Sequence, residues 1–313
     1  MPIIGHKKII SYFDSAIKDK MLSQSYCFVG YDQVGKRTVA RNICSKLLKV
    51  EEPKLDLYPD FCYIARQEDE KTGKLKKDIS ISQARQIKDK VGRRAWMGEY
   101  QTVILDEAEL LNEEAANALL KILEETKGQC MFFLLTVDDS ALLPTIRSRC
   151  QMFYFPLVGK EEIKSSLVKM GYSEAVAEEA AKFSWGRPGR AVELAFDDDL
   201  RKSYNQEIER WTKIIPSPFF KKMELVDDFF GDKMDAVRGR DKIQRALDIW
   251  IMIWRDVMLD KMQNSSATPA IGKIDLSAAD ISSLIDDLHN AQILLGRNIN
   301  PKLLIEQILL KFS

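Results

Sequence analysis

The run Phe28-Val29-Gly30-Tyr31-Asp32-Gln33-Val34-Gly35-Lys36-Arg37-Thr38 constrains this chain more than any other. Its spacing (Gly30, four residues, then Gly35-Lys36) is that of a phosphate-binding loop. Tyr26 to Val29 is apolar and reads as a buried strand; Arg37 to Leu48 reads as a helix. That strand–loop–helix order has a physical purpose. Glycines let backbone N–H groups turn toward an anion, the helix start adds a positive dipole end, and Lys36 supplies a point charge. One residue departs from the pattern, which ends in Gly-Lys-[Ser/Thr] with the hydroxyl on Mg²⁺. Arg37 stands at that position, and Thr38 is rotated by about 100° on the helix. The loop is expected to cradle a phosphate without placing the metal that hydrolysis needs.

The flanking pattern sets the fold class. Ile9, Ile10, Phe13, Ala16 and Ile17 have helical spacing. Phe61 to Ile64, Thr102 to Glu107, Cys130 to Thr136 and Gln151 to Phe155 read as strands. Helices are predicted from Ser82 to about Gly92 with Ser82 as N-cap, from Asn112 to Glu125 with Asn112 as N-cap, and over roughly Leu142 to Arg149. Strands alternating with helices imply a parallel, doubly wound α/β sheet. Gln67 to Lys77, dense in charge, reads as an exposed hairpin tip. After Pro156 only helices are predicted: Lys160 to Met170, Ser173 to Phe183, Gly189 to Ala195, then long amphipathic ones including Ile243 to Met262, Ile281 to Leu294 and Pro301 to Phe312. Asn264 to Ala270 reads as a loop.

Composition excludes more than it selects. The 313 residues suit roughly two or three domains. A formal net charge of +0 gives no global attraction to nucleic acid, so a DNA role would rest on a local basic face or on partner subunits. The cysteines, Cys27, Cys44, Cys62, Cys130 and Cys150, are odd in number and show no CxxC, which argues against a disulfide framework or a zinc site. Cys27 and Cys130 are read as small buried hydrophobes. No hydrophobic signal core or membrane-length run is seen, so a cytoplasmic chain with no membrane partner is expected.

About 70 residues after the loop, an apolar strand ends in Asp106-Glu107. In a nucleotide hydrolase such a pair would hold Mg²⁺ through water and polarise the attacking water. Here a resemblance emerges. Leu105-Asp106-Glu107-Ala108-Glu109, followed by Ala115-Ala116-Asn117-Ala118-Leu119-Leu120-Lys121-Ile122-Leu123-Glu124-Glu125, is similar to the clamp-loader branch of AAA+ ATPases. Ser148-Arg149-Cys150 matches that branch's Ser-Arg-Cys motif. Ile79 to Arg85, Trp254-Arg255-Asp256 and the tail Asn298 to Leu310 resemble the delta prime subunits of bacterial DNA polymerase III.

The resemblance implies an α/β fold with an AAA+ RecA-like parallel-sheet domain (1–157), then a small helical lid (158–200) and an all-helical C-terminal collar for oligomerisation (201–313). It implies a hetero-pentameric ring with gamma/tau-type ATPase subunits and a delta subunit, which loads a sliding clamp on primer-template DNA. Gly30, Gly35, Lys36, Thr38, Asp106 and Glu107 would form a nucleotide site, vestigial or holding ATP or ADP with Mg. Arg149 would be an arginine finger acting in trans, and its bland alternative is a cation near a helix C-terminus. The departures favour a static member. Arg37 replaces the metal-binding hydroxyl, Val137 falls where a polar sensor is expected, Gly189 falls where a lid arginine is expected with Arg190 facing elsewhere, and the family's four-cysteine zinc module is absent. Two other readings stay open: an ATP-hydrolysing gamma/tau-type subunit or related AAA+ motor, and a nucleotide-gated adaptor without a clamp role. His6 reads as a surface histidine, Trp250 and Trp254 as helix packing, and Lys121 and Arg147 as solvated cations.

Overall fold

The computed structural model describes residues 2–68, 75–91, 96, 98–126, 130–214, 217–218, 220–224, 236–263, 276–295 and 301–310. Two compact units are present, Met1–Phe196 and Asp197–Ser313.

The first unit is built on five parallel strands: β1 (Ser25–Val29), β2 (Phe61–Ile64), β3 (Gln101–Leu105), β4 (Cys130–Thr136) and β5 (Gln151–Tyr154). Their order is β2-β3-β4-β1-β5, so β1 lies between β4 and β5. The two acids come just after β3 rather than within it. Every residue of β1, β3 and β4 is buried, as expected for strands covered on both faces. Alternation divides β4 between two cores. Cys130, Phe132 and Leu134 pack with residues of α3 (Ile81–Val91), α4 (Glu113–Glu125) and α5 (Pro144–Arg147). Met131, Phe133 and Leu135 pack with α1 (Lys7–Lys18) and α2 (Lys36–Leu48). Phe13 anchors the second core, its ring 4.8 Å from Tyr26 and 5.8 Å from Phe28 in edge contacts. Such tilted pairs add to area burial. Cys27 and Cys130 are buried as expected.

Helix starts follow local chemistry. Asn112 caps α4, its side chain accepting from the Ala115 N–H at 2.8 Å. The N-cap assigned to Ser82 is corrected: α3 begins at Ile81, and Gln83 reaches back to the Ser80 N–H at 3.2 Å. A Gln three residues after Ser80 is half of a capping box, which outcompetes the later serine. The expected hairpin tip falls mostly outside the described residues; at its base Lys76 N–H donates to Gln67 at 2.8 Å. Asn264 to Ala270 also lies outside them.

Three short helices complete this unit: α6 (Lys160–Lys169), α7 (Glu174–Ser184) and α8 (Pro188–Phe196). Ser173 caps α7 through the Val176 N–H.

The second unit holds α9 (Asp198–Ile214), α10 (Ala236–Gln263), α11 (Ala278–Leu295) and α12 (Pro301–Leu310). Trp250 and Trp254, four apart on α10, both meet Trp211 edge-on with centroids at 5.1 Å. Trp250 also donates to Glu207 at 2.7 Å, so the core satisfies a buried carboxylate. Gln292 ties α11 to Asp248 on α10.

Because Asn112 satisfies an otherwise orphan donor at the start of α4, Asn112→Ala is expected to lower unfolding free energy by about 0.5–2 kcal/mol. Chemical denaturation of the two chains checks this.

Candidate functional site

β1 delivers the chain into the loop at Gly30, whose N–H extends the sheet to the Thr136 carbonyl. Gly35 precedes α2 at φ 113, a conformation that side chains resist. Lys36, in the first turn, is buried, and its ammonium turns back onto the loop, donating to the carbonyls of Gly30 and, at 3.1 Å, Tyr31. Burial lowers its pKa. Thr38 is half-buried one position beyond Arg37.

The structure brings Asp106 and Glu107 to the same end of the sheet and occupies both from within. Arg37 Nε and Nη2 each lie 2.6 Å from Asp106 Oδ2. The Tyr63 hydroxyl donates to that oxygen at 2.8 Å. The Glu107 N–H donates to Oδ1 at 3.1 Å. Burial first, and then the neighbouring Asp106 charge, push the Tyr63 phenol well above its ordinary range. Glu107 is gripped by Arg66, Nε to Oε2 at 2.9 Å and Nη2 to Oε1 at 2.5 Å. That two-pronged bond holds the Glu107 carboxyl below its usual range. The residues present therefore do not fit Mg²⁺: the hydroxyl ligand is Arg37, and its guanidinium covers the carboxylate that would face the ion. Among the described residues no cluster of His, Cys, Asp and Glu is arranged to hold a metal.

The far wall is α8. The Gly189 N–H donates to the Gln33 carbonyl at 2.7 Å. A Cβ on Gly189 would stand 2.9 Å from that same oxygen, so glycine lets α8 close directly on the loop. Gln33 Nε2 donates to Glu193 at 3.0 Å, and Arg190, buried along α8, donates to the same carboxylate at 3.1 Å. Val137 is exposed at the end of β4.

His6 is corrected from a surface residue to a half-buried one. Its Nε2–H donates to the Val34 carbonyl at 2.8 Å, and its ring lies 4.7 Å from Phe155. That bond makes Nδ1 the unprotonated nitrogen, and Nδ1 is buried without a partner. Burial lowers the His6 pKa. Tyr63, Arg66, Gln33 and His6 are the site residues that local sequence patterns miss.

Arg149 is elsewhere. Its carbonyl accepts from Ser25 Oγ at 3.0 Å, at the beginning of β1, whereas the loop follows the end of that strand. Five strand steps at about 3.3 Å each, roughly 17 Å, separate Ser25 from Gly30. The side chain is partly exposed and donates to the Thr145 carbonyl and to Glu124. Arg147 pairs with Asp139 at 2.9 Å.

A parallel five-stranded sheet with a glycine loop after β1 and paired acids after β3 is the arrangement of a phosphate-loop α/β domain. Comparison with known proteins narrows this. Residues 5–158 match the family described as DNA polymerase III, delta subunit. A DNA polymerase III subunit delta' from Pseudomonas aeruginosa is 30% identical over 210 residues, covering 62% of this chain and 62% of that protein. A subunit tau from Bacillus subtilis is 31% identical over 176 residues, 54% of this chain and 31% of that protein. The chain thus spans less than two thirds of either relative. The crystal structure of a gamma subunit-related protein from Thermotoga maritima shares the fold, with a TM-score of 0.57 at 20% identity over 96% of this chain and 98% of that one. Over residues 5–158, just under half of its length, the chain is similar to the DNA polymerase III delta family, and it resembles subunits delta' and tau to a like degree. Among the described residues no helix is long and apolar enough to cross a membrane.

The lowered His6 pKa has a definite sign. As pH falls through about 6.5 the unfolded chain takes up a proton that the folded chain still refuses, so stability present above that pH is lost below it. The thermal midpoint is expected to drop between about pH 7.5 and 5.5. His6→Gln, which keeps a donor for Val34, is expected to show a shallower drop in parallel melts.

Proposed function

We propose that this chain is a fixed member of a replicative clamp-loader ring, contributing Arg149 to the ATP site of a neighbouring gamma/tau-type subunit and hydrolysing little or no ATP itself. The ring would also hold a delta subunit, and would load a sliding clamp on primer-template DNA contacted through the assembly. In this reading residues 158–200 serve as the lid and 201–313 as the collar that joins the ring.

One observation carries the reading: Arg149 sits at the opposite end of β1 from its own phosphate loop. A guanidinium there has no route to its own chain's phosphates. It is partly exposed and permanently charged, the chemistry suited to a phosphate that gathers charge in a transition state. The self-occupied loop supports the other half. Lys36 binds the loop's carbonyls, and Arg37 and Arg66 cover the two acids that hydrolysis would use.

In rings assembled with gamma/tau-type and delta subunits, Arg149→Ala is expected to remove most ATPase activity while the lone chain keeps its circular dichroism and thermal midpoint. Arginine fingers contribute roughly 10³–10⁵ in rate. Unchanged turnover in a fully assembled ring would remove the finger assignment. A lone chain that cleaves Mg-ATP would instead favour the ATPase-subunit reading.

A further inference from the structure

We propose that Glu124 is the positioning residue of the finger: together with the Thr145 carbonyl it fixes the Arg149 guanidinium in one orientation and leaves its remaining N–H donors for a neighbour's phosphate. This rests on the reading of Arg149 given above.

The geometry is specific. Arg149 Nη2 donates to Glu124 Oε1 at 2.5 Å, and Nη1 donates to the Thr145 carbonyl at 2.9 Å. The two bonds hold separate nitrogens, which fixes both the plane and the rotation of the group, and further N–H donors remain for an incoming oxygen. Both parent elements are tied to the residues that open β1. Gln24 Nε2 donates to the carbonyls of Leu123 and Thr126, at 3.4 and 2.5 Å, pinning the end of α4. Ser25 Oγ holds the Arg149 carbonyl at 3.0 Å. The guanidinium is thus braced from the buried start of β1, as a preorganised group must be.

The placement of Glu124 has no helical rationale of its own. It lies in the last turn of α4, where the helix dipole disfavours a carboxylate, and that turn has no basic residue. Glu125 beside it answers Lys88 at 3.1 Å; Glu124 answers Arg149. Arg149 and Glu124 are both partly exposed, with side chains 38% and 53% accessible. Without the carboxylate the arginine would sample many rotamers, and that freedom would have to be removed at each turnover.

The test is a double-mutant cycle in assembled rings. Glu124→Ala is expected to lower kcat about three- to tenfold, the loss for immobilising one rotamer-rich side chain, with KM for ATP within about twofold. Glu124→Gln, which keeps an acceptor oxygen, is expected to retain more than about half of wild-type kcat, and Glu124→Ala is expected to add nothing to Arg149→Ala. An unchanged kcat in Glu124→Ala, or an equal loss with and without Arg149, would overturn the proposal. A second readout is independent of the finger assignment. In the lone chain labelled with ¹⁵N-arginine, the Arg149 Nε–H resonance is expected to be dispersed and to move to the free-arginine position in Glu124→Ala. A resonance that does not move would refute the bracing. Loss of the ring effect of Arg149→Ala alone would count against the finger instead.

Discussion

Arg37 lies across Asp106, and much of what the phosphate-loop end can do follows from that contact. A carboxylate at the tip of a buried strand is costly unless something neutralises it. In a nucleotide hydrolase a hydrated Mg²⁺ does so when nucleotide is bound. Here a guanidinium does so permanently, from the position where the metal-binding hydroxyl would sit, with Tyr63 completing the shell. Arg66 does the same for Glu107. A single residue, arginine in place of serine or threonine, both deletes a ligand and fills the vacancy. Gly189 then allows α8 to seal the loop by bonding Gln33.

Strand β1 separates two kinds of chemistry. At its end are a phosphate loop and acids satisfied within the chain; at its beginning are Arg149 and Glu124, braced and partly exposed. Parallel strands make this separation strict. Each strand starts at one edge of the sheet and finishes at the other, so a residue just before β5 and a loop just after β1 cannot meet. A chain with a quiet pocket and an arginine presented at the other edge fits a subunit whose chemical contribution is made to a neighbour.

What was legible in the sequence was what is local. The glycine spacing, the apolar run into Asp106-Glu107 and the Asn112 cap each lie within a few residues, and the structure places those elements as the pattern predicts. Tyr63 and Arg66 were not legible, because their proximity to the acids depends on β2 lying beside β3, an order no local pattern encodes. Gln33 and Glu193 meet only because α8 closes on the loop. His6 read as a lone surface histidine, whereas its placement depends on Val34 and Phe155, far along the chain. The Ser80-to-Gln83 spacing was readable and shows how a capping box outranks a later serine.

The most direct measurement is steady-state hydrolysis of Mg-ATP by the purified lone chain, set beside the same chain carrying Arg37→Thr. With Asp106 already held by the chain's own guanidinium, the expected result is no turnover above buffer for the native chain. Robust Mg²⁺-dependent turnover by the native chain would contradict the idea that its pocket is closed from within.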